Sequence, residues 1–293
     1  MDFAMVTAYQ PIDQLVPLAR AAEEAGFRAL SIADHVVDLE TVATPYPYTS
    51  TGERRWGPDV DWPDPWVTVG ALGQVTSRLQ FFTSIYVAAM RNPFVVAKAV
   101  GTAAALTGGR VALGVGVGWC REEFELLEQE FGTRGRRTDE ALELLKELWA
   151  PGWTEFAGEF YSCERLTMKP EPPGPVPVWV GGLSDVALRR AARHDGWVGD
   201  MATTEDAVAT AQRLRTFRAE AGRDLDEPFD VVPALTDAIT PEDFVRAARG
   251  GVTMTMTVPW MYYAPADAPL EDKVAGVQRF GEEVIAPVRE LLA

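Results

Sequence analysis

Asp34 and His35 stand side by side at the end of an apolar run, Ala29 to Ala33, where a long segment rich in Pro, Gly and aromatic residues begins. Imidazole is the side chain whose ordinary pKa lies nearest neutrality, and a neighbouring carboxylate can orient it, so the pair could move a proton. It could equally be a turn cap beside a satisfied loop histidine. A second chemical signal runs from Leu106 to Phe124. There an alternating strand, Val111 to Val115, leads into Gly116, Val117, Gly118, Trp119 and Cys120 and then Arg121, Glu122, Glu123 and Phe124. Glycines ending a strand leave bare backbone for a flat ring, and the N–H groups opening the next helix favour an anion. The dinucleotide fingerprint is not completed, because Trp119 and Cys120 stand where further spacing and a final Gly are needed.

The same strand, glycine and helix pattern returns at Val178 to Asp185. Ser184 or Asp185 is a natural N-cap, and Gly181, Gly182 and the following amides could hold a phosphate. Arg91 is the second candidate for an anion, with Lys98 behind it. Tyr46, Tyr48, Trp56 and Trp62 fall in the long loop, Trp119 follows the glycine turn, and Asp200 and Trp260 lie at later strand ends. Aromatics in Pro- and Gly-rich loops, not at helical spacing, either join the core or line an apolar pocket for a planar substrate. Two cysteines, Cys120 and Cys163, and two histidines, His35 and His194, give neither a disulfide framework nor metal-ligand spacing.

Positioning these groups requires a repeating scaffold. Eight apolar runs alternate with amphipathic stretches: Phe3 to Thr7, Ala29 to Ala33, Leu79 to Ser84, Val111 to Val115, Val176 to Val180, Gly196 to Gly199, Asp230 to Pro233 and Thr253 to Thr257. Helical patterns follow at Gln14 to Ala25, Pro65 to Thr76, Pro93 to Ala105, Arg121 to Ala150, Asp185 to Arg193, Thr204 to Ala221, Pro241 to Ala248 and Asp272 to Leu292. This alternation predicts a (β/α)8 TIM barrel of the α/β class, one domain over residues 1–293. Two stretches interrupt it: the loop from Val36 to Asp64 after the second strand, and a hairpin near Glu155 to Thr167 before the fifth. A loop after a barrel strand lies at the C-terminal face, where active sites of this architecture gather.

The glycine-strand-glycine segment, together with Arg134-Gly135-Arg136-Arg137-Thr138-Asp139-Glu140, resembles the luciferase-like flavin and deazaflavin oxidoreductases, in particular the branch that uses coenzyme F420. The resemblance spans nearly the whole chain and is strongest from Pro65 through Gly199. It implies that Asp34 lies near the deazaflavin edge and that His35 is the acid/base partner of hydride transfer. It further implies a bulge with a non-prolyl cis peptide at Ser84 and Ile85, with Val87 beside it, and cofactor contacts from Val117, Gly118 and Glu122. Trp119 departs from the sugar-phosphate dehydrogenases of the group, which carry a proton-donating Glu there. An indole walls a pocket or stacks on a planar substrate instead, so a sugar phosphate is not expected. Should His35 lack the acid/base role, Tyr46, Tyr48 and Glu122 are the remaining groups. The resemblance also implies a homodimer. A reduced-FMN monooxygenase and a catalytically silent flavin-binding protein are the alternative functions on this fold.

With 27 Lys and Arg against 43 Asp and Glu, the net charge is −16. That balance disfavours nucleic acid and anionic membrane surfaces as partners. The start Met1-Asp2-Phe3-Ala4 has no basic signal-like region, and no window approaches the apolar length of a membrane span, so a cytoplasmic protein with a small-molecule substrate is expected.

Overall fold

The computed structural model describes residues 1–293. Strands β1 (Asp2–Val6), β2 (Ala29–Ile32), β3 (Gln80–Thr83) and β4 (Val111–Val115) are followed by a separate antiparallel hairpin, β5 (Thr154–Ala157) and β6 (Ser162–Leu166). The chain then completes the main sheet with β7 (Val178–Gly181), β8 (Gly196–Ala202), β9 (Asp230–Leu235) and β10 (Met254–Thr257). The order is β10-β1-β2-β3-β4-β7-β8-β9, with every pairing parallel. At the seam between β9 and β10, Thr253 N donates to Val231 O at 3.1 Å, but Pro233 has no N–H to give. The Thr255 hydroxyl reaches Pro233 O at 3.1 Å and holds the strands together there. The result is the expected eight-stranded β/α barrel, nearly closed.

Period-2 alternation along the strands divides the apolar residues between two cores. Inside the barrel, small Ala4, Ala29 and Ala112 leave room for Phe82 and Trp179, whose rings lie 5.0 Å apart. The outward faces, with Phe3, Leu30, Phe81 and Leu113, pack under the helices. These are α1 (Leu15–Glu24), α2 (Pro65–Gly73), α3 (Pro93–Thr107), α4 (Arg121–Leu126), α5 (Arg134–Trp149), α6 (Asp185–Ala191), α7 (Thr204–Glu220), α8 (Pro241–Arg249), α9 (Leu270–Phe280) and α10 (Ala286–Leu292). Asp64 caps α2 by accepting from Trp66 N and Val67 N, both at 2.9 Å, and Pro65 takes its first position. No helix is long and apolar enough to cross a membrane.

Two continuous helical patterns are interrupted in space. Arg121 to Ala150 breaks into α4 and α5 because Glu128 turns left-handed, at φ 56°, and Arg137 draws the intervening chain in through Gln129 Oε1 at 2.6 Å and Glu130 O at 2.9 Å. Asp272 to Leu292 is interrupted by a π turn at Gly281–Ile285. A Cβ on Gly281 would stand 2.6 Å from Ala25 O, so the helix passes that carbonyl closely.

Candidate active site

Asp34 leaves β2 with its side chain wholly buried. Arg91 grips both of its oxygens at 2.7 Å, and Val87 N donates to Oδ2 at 3.0 Å. Burial pushes the Asp34 carboxyl upward against the pull of Arg91. These three bonds make Asp34 a clamp on the chain after β3. The same geometry pairs the Arg91 charge with Asp34 and sets its guanidinium 4.3 Å from the Tyr86 ring centroid. Lys98 donates to Lys169 O at the outer surface.

The clamped segment contains the expected cis peptide, between Ser84 and Ile85. Ile85 wedges between two other strand ends: a Cβ on Gly116 would fall 1.9 Å from Ile85 Cδ1, and one on Gly181 would fall 2.7 Å from Ile85 Cγ2. The glycines at these strand ends are therefore required by the Ile85 side chain, where the sequence had pointed to a ligand. Gly118, at φ 81°, adopts a backbone that side chains disfavour, and a Cβ there would meet Val87 and Phe124. Ser84, Ile85, Val117, Gly118 and Gly182 remain partly uncovered at the mouth, above strands that are otherwise buried. This strip fits a planar ring laid against backbone. At its edge, Ser84 and Ile85 belong to β3's exit and Gly182 to that of β7. Ser184 caps α6 by accepting from Ala187 N at 3.3 Å, and the Asp185 carboxylate pairs with Arg213 at 2.5 Å. Their backbone N–H groups and the Ser184 hydroxyl proton remain as phosphate donors.

His35 is held by a residue that sequence reasoning passed over. Its Nδ1 lies 2.8 Å from Oε2 of Glu123, a carboxylate whose side chain is 4% exposed. Glu123 Oε1 accepts from Val36 N at 2.9 Å, so one carboxylate fixes both ring and backbone at the start of the long loop. A carboxylate only accepts, so Nδ1 carries the proton and Nε2 is the ring position left for a substrate. The ring centroids of Trp62, Trp56 and Trp119 lie 4.8, 5.0 and 6.2 Å from that of His35. Tyr46 packs on Trp119 at 5.1 Å and on Tyr48 at 5.4 Å, and Tyr9 on Trp62 at 5.6 Å. Between them, His35, Glu123, Asp38, Trp56, Trp119 and Cys120 enclose a cavity of about 10 Å³, room for roughly one water. A signal for Glu123 did exist: it follows the glycine turn within the first turn of α4, facing the strand end that carries His35.

The long loop closes over this box through contacts with the barrel and one ion pair of its own. Arg55 forks onto Asp200 at 2.8 Å through both nitrogens, Asp61 accepts from Ile12 N at 3.0 Å, and Arg54 pairs with Asp38 within the loop. Glu122 accepts from Ala43 N at 2.8 Å and Thr44 N at 2.9 Å. Burial opposes ionisation of Glu122, but these amides outweigh it and hold the carboxyl at about 2. Glu122 thus anchors the loop, and Asp200 is a tether for the pocket wall. Trp260 is corrected outright: it is fully buried behind the barrel against α9, with Nε1 donating to Ala266 O at 3.3 Å. Burial raises the phenols of Tyr46 and Tyr48, making them poorer proton donors than a histidine.

Residues 2–269 match the model of the luciferase-like monooxygenase family. The chain belongs to that family. An uncharacterized protein of Mycobacterium tuberculosis is 36% identical over 291 residues, covering 98% of this chain and all of that protein. An F420-dependent glucose-6-phosphate dehydrogenase of Segniliparus rotundus is 34% identical over 190 residues, 63% of this chain and 52% of that enzyme. Among solved structures, the F420-dependent tetrahydromethanopterin reductase of Methanopyrus kandleri superposes with a TM-score of 0.74 at 16% identity, covering 97% of this chain and 98% of that one, a likeness of fold.

Proposed function

We propose that this protein is a coenzyme F420-dependent oxidoreductase that passes a hydride between the deazaflavin and an apolar or planar organic substrate, with His35 moving the accompanying proton. The observation that carries the reading is His35 itself, tautomer-set by buried Glu123 inside an aromatic box, one residue from the clamp that shapes the Ile85 strip. Ser84, Ile85, Val87, Val117 and Gly118 would hold the ring, and the amides of Gly181, Gly182, Ser184 and Asp185 its phosphate. Bound there, the deazaflavin supplies or takes up the hydride. The chain's own residues orient the substrate, exclude water and present Nε2 of His35 to the proton in transit. Trp119 and the pairing of Arg54, Arg55 and Arg91 with aspartates argue against a sugar phosphate, although the Segniliparus relative bears that substrate in its name.

Fluorescence quenching tests the cofactor: F420 is expected to bind at low micromolar concentration or better, and FMN much more weakly. Preference for FMN with substrate-dependent oxygen uptake points to the monooxygenase reading, and binding without turnover to a silent flavin-binding protein. We further propose a homodimer through α2 and α3. Val67, Val95 and Leu106 are exposed there, and Lys98 is the one charged residue on the two helices, so two acidic chains can meet without repulsion. Val67→Glu with Val95→Glu should give a monomer in sedimentation velocity.

A further inference from the structure

Two cations beside the glycine turn have no acid to answer them. Around the same mouth Arg54, Arg55 and Arg91 are each matched by an aspartate, in a chain whose net charge is −16. Arg121, the first residue of α4, and Arg134, the first of α5, are not. Their guanidinium carbons lie 4.5 and 3.7 Å from the centroid of a single ring, Phe131, which Phe124 supports at 5.3 Å. Arg134 Nε donates to Gly118 O at 3.1 Å and Nη1 to Phe131 O at 3.0 Å. The side chain is thereby fixed on a glycine of the uncovered strip, with Nη2 left free. The Arg121 side chain is exposed and makes no hydrogen bond. The acids nearest in sequence are engaged elsewhere: Glu122 by the loop amides, Glu123 by His35 and Val36 N, and Glu130 by Gly132 N at 2.7 Å. Burial and then the charge of Arg121 lower the Arg134 guanidinium from its ordinary value, whereas at Arg91 burial is outweighed by Asp34 and the shift is upward. Two like charges are gathered on one ring with nothing to balance them, and an anion set against both would relieve their repulsion.

We propose that Arg121 and Arg134, set by Phe131, form the seat for the anionic side chain of the deazaflavin, taking a carboxylate or phosphate oxygen from the part that extends beyond its ring. The inference rests on the cofactor reading above. A guanidinium fork matches the geometry of carboxylate and phosphate, and Arg134 is already ordered before any ligand arrives. A neutral ligand would leave both charges unanswered. In a chain this acidic an anionic cofactor depends on local cations, and here they stand against the glycine where the ring would lie.

Deazaflavin fluorescence, titrated with the intact protein at several salt concentrations, tests this with three ligands: F420, its phospholactyl form without the glutamates, and Fo, which ends before the phosphate. The wild-type protein should bind F420 more tightly than Fo, with an affinity that falls as salt rises. Arg121→Gln should cut the preference for F420 over Fo about fivefold or more and flatten the salt dependence, and Arg121→Lys should restore most of both. Arg134→Gln, which also releases Gly118 O, should weaken all three ligands, F420 most. The phospholactyl form locates the contact: a loss it shares lies at the phosphate or lactyl carboxylate, and a loss it escapes lies at the glutamates. An equal loss for F420 and Fo in Arg121→Gln overturns the proposal, as does an unchanged preference. Wild-type protein that binds Fo as tightly as F420 sinks the arginine seat while deazaflavin binding stands. Wild-type protein that binds none of the three sinks the cofactor reading itself, and the seat with it.

Discussion

The two ends of the barrel use one device, a carboxylate gathering backbone N–H groups, for different ends. At the N-terminal face, Glu23 at the end of α1 accepts from Ser77 N, Arg78 N and Leu79 N at 2.6 to 2.9 Å. This closes the short turn into β3. Nearby, Arg28 ties Asp2 at 3.3 Å to Asp230 at 3.2 Å across the strand starts. At the C-terminal face, Glu122 and Glu123 hold parts of one long loop that contains no helix or strand of its own. Short connections carry stability at the first face. At the second, a loop with only a few hydrogen bonds of its own, such as Tyr46 N to Gly52 O at 2.8 Å, is fastened to the barrel by side chains at both ends of the contact, and such a loop can open without unfolding the barrel.

That contrast can be tested, beginning with the residue that belongs to both roles. Asp34→Ala leaves the buried Arg91 charge unpaired and frees Val87, so urea denaturation should show a loss of about 3–5 kcal/mol together with weakened F420 binding. Full stability with lost binding would mean that Asp34 touches the cofactor directly. His35→Asn, by contrast, should fold normally and quench F420 fluorescence, yet transfer hydride at least about 10²-fold more slowly in stopped-flow measurements, provided the reaction also moves a proton. An unchanged rate there would leave His35 as a wall of the box.

A smaller effect is expected at its support. Glu123→Gln removes the negative charge beside Nδ1 and leaves one accepting oxygen for the two donors His35 Nδ1 and Val36 N, and kcat should fall about tenfold with a displaced pH–rate profile, while KM changes less. An unshifted profile would reduce Glu123 to a loop anchor like Glu122. The smallest effect is acid loosening of the long loop. Burial opposes ionisation of both Glu23 and Glu122, but their amide partners prevail and hold each at about 2, below the ordinary 4.5. Their stabilising contribution is then complete above the ordinary carboxylate value and is lost as pH falls through about 2. Glu122→Gln should remove only the local part of this acid response, seen in the fluorescence of Trp56 and Trp62, whereas Glu23→Gln should move the global unfolding transition.

How much of this was legible in the sequence divides along physical lines. The eight strands were readable because alternating burial imprints a period of two, and each predicted run overlaps an observed strand. The long loop, the hairpin and the Ser84–Ile85 bulge lie where expected, the last because a family resemblance carried it. The functions of individual side chains were less readable. Asp34 and His35 are neighbours in the chain, and their adjacency suggested a pair. In space they face different partners, since successive residues leaving a strand point to opposite sides. Asp34 turns to Arg91, 57 positions away, and His35 to Glu123, 88 away. Trp260 carried the same aromatic signature as Trp56 and went into the core. The chain's local pattern determined the barrel and which strand ends could bear a site, because periodicity and glycine stops act within a few residues. The tertiary structure decided which acid serves which base, and which aromatics meet around His35, because those choices depend on distances between strands that no local pattern encodes.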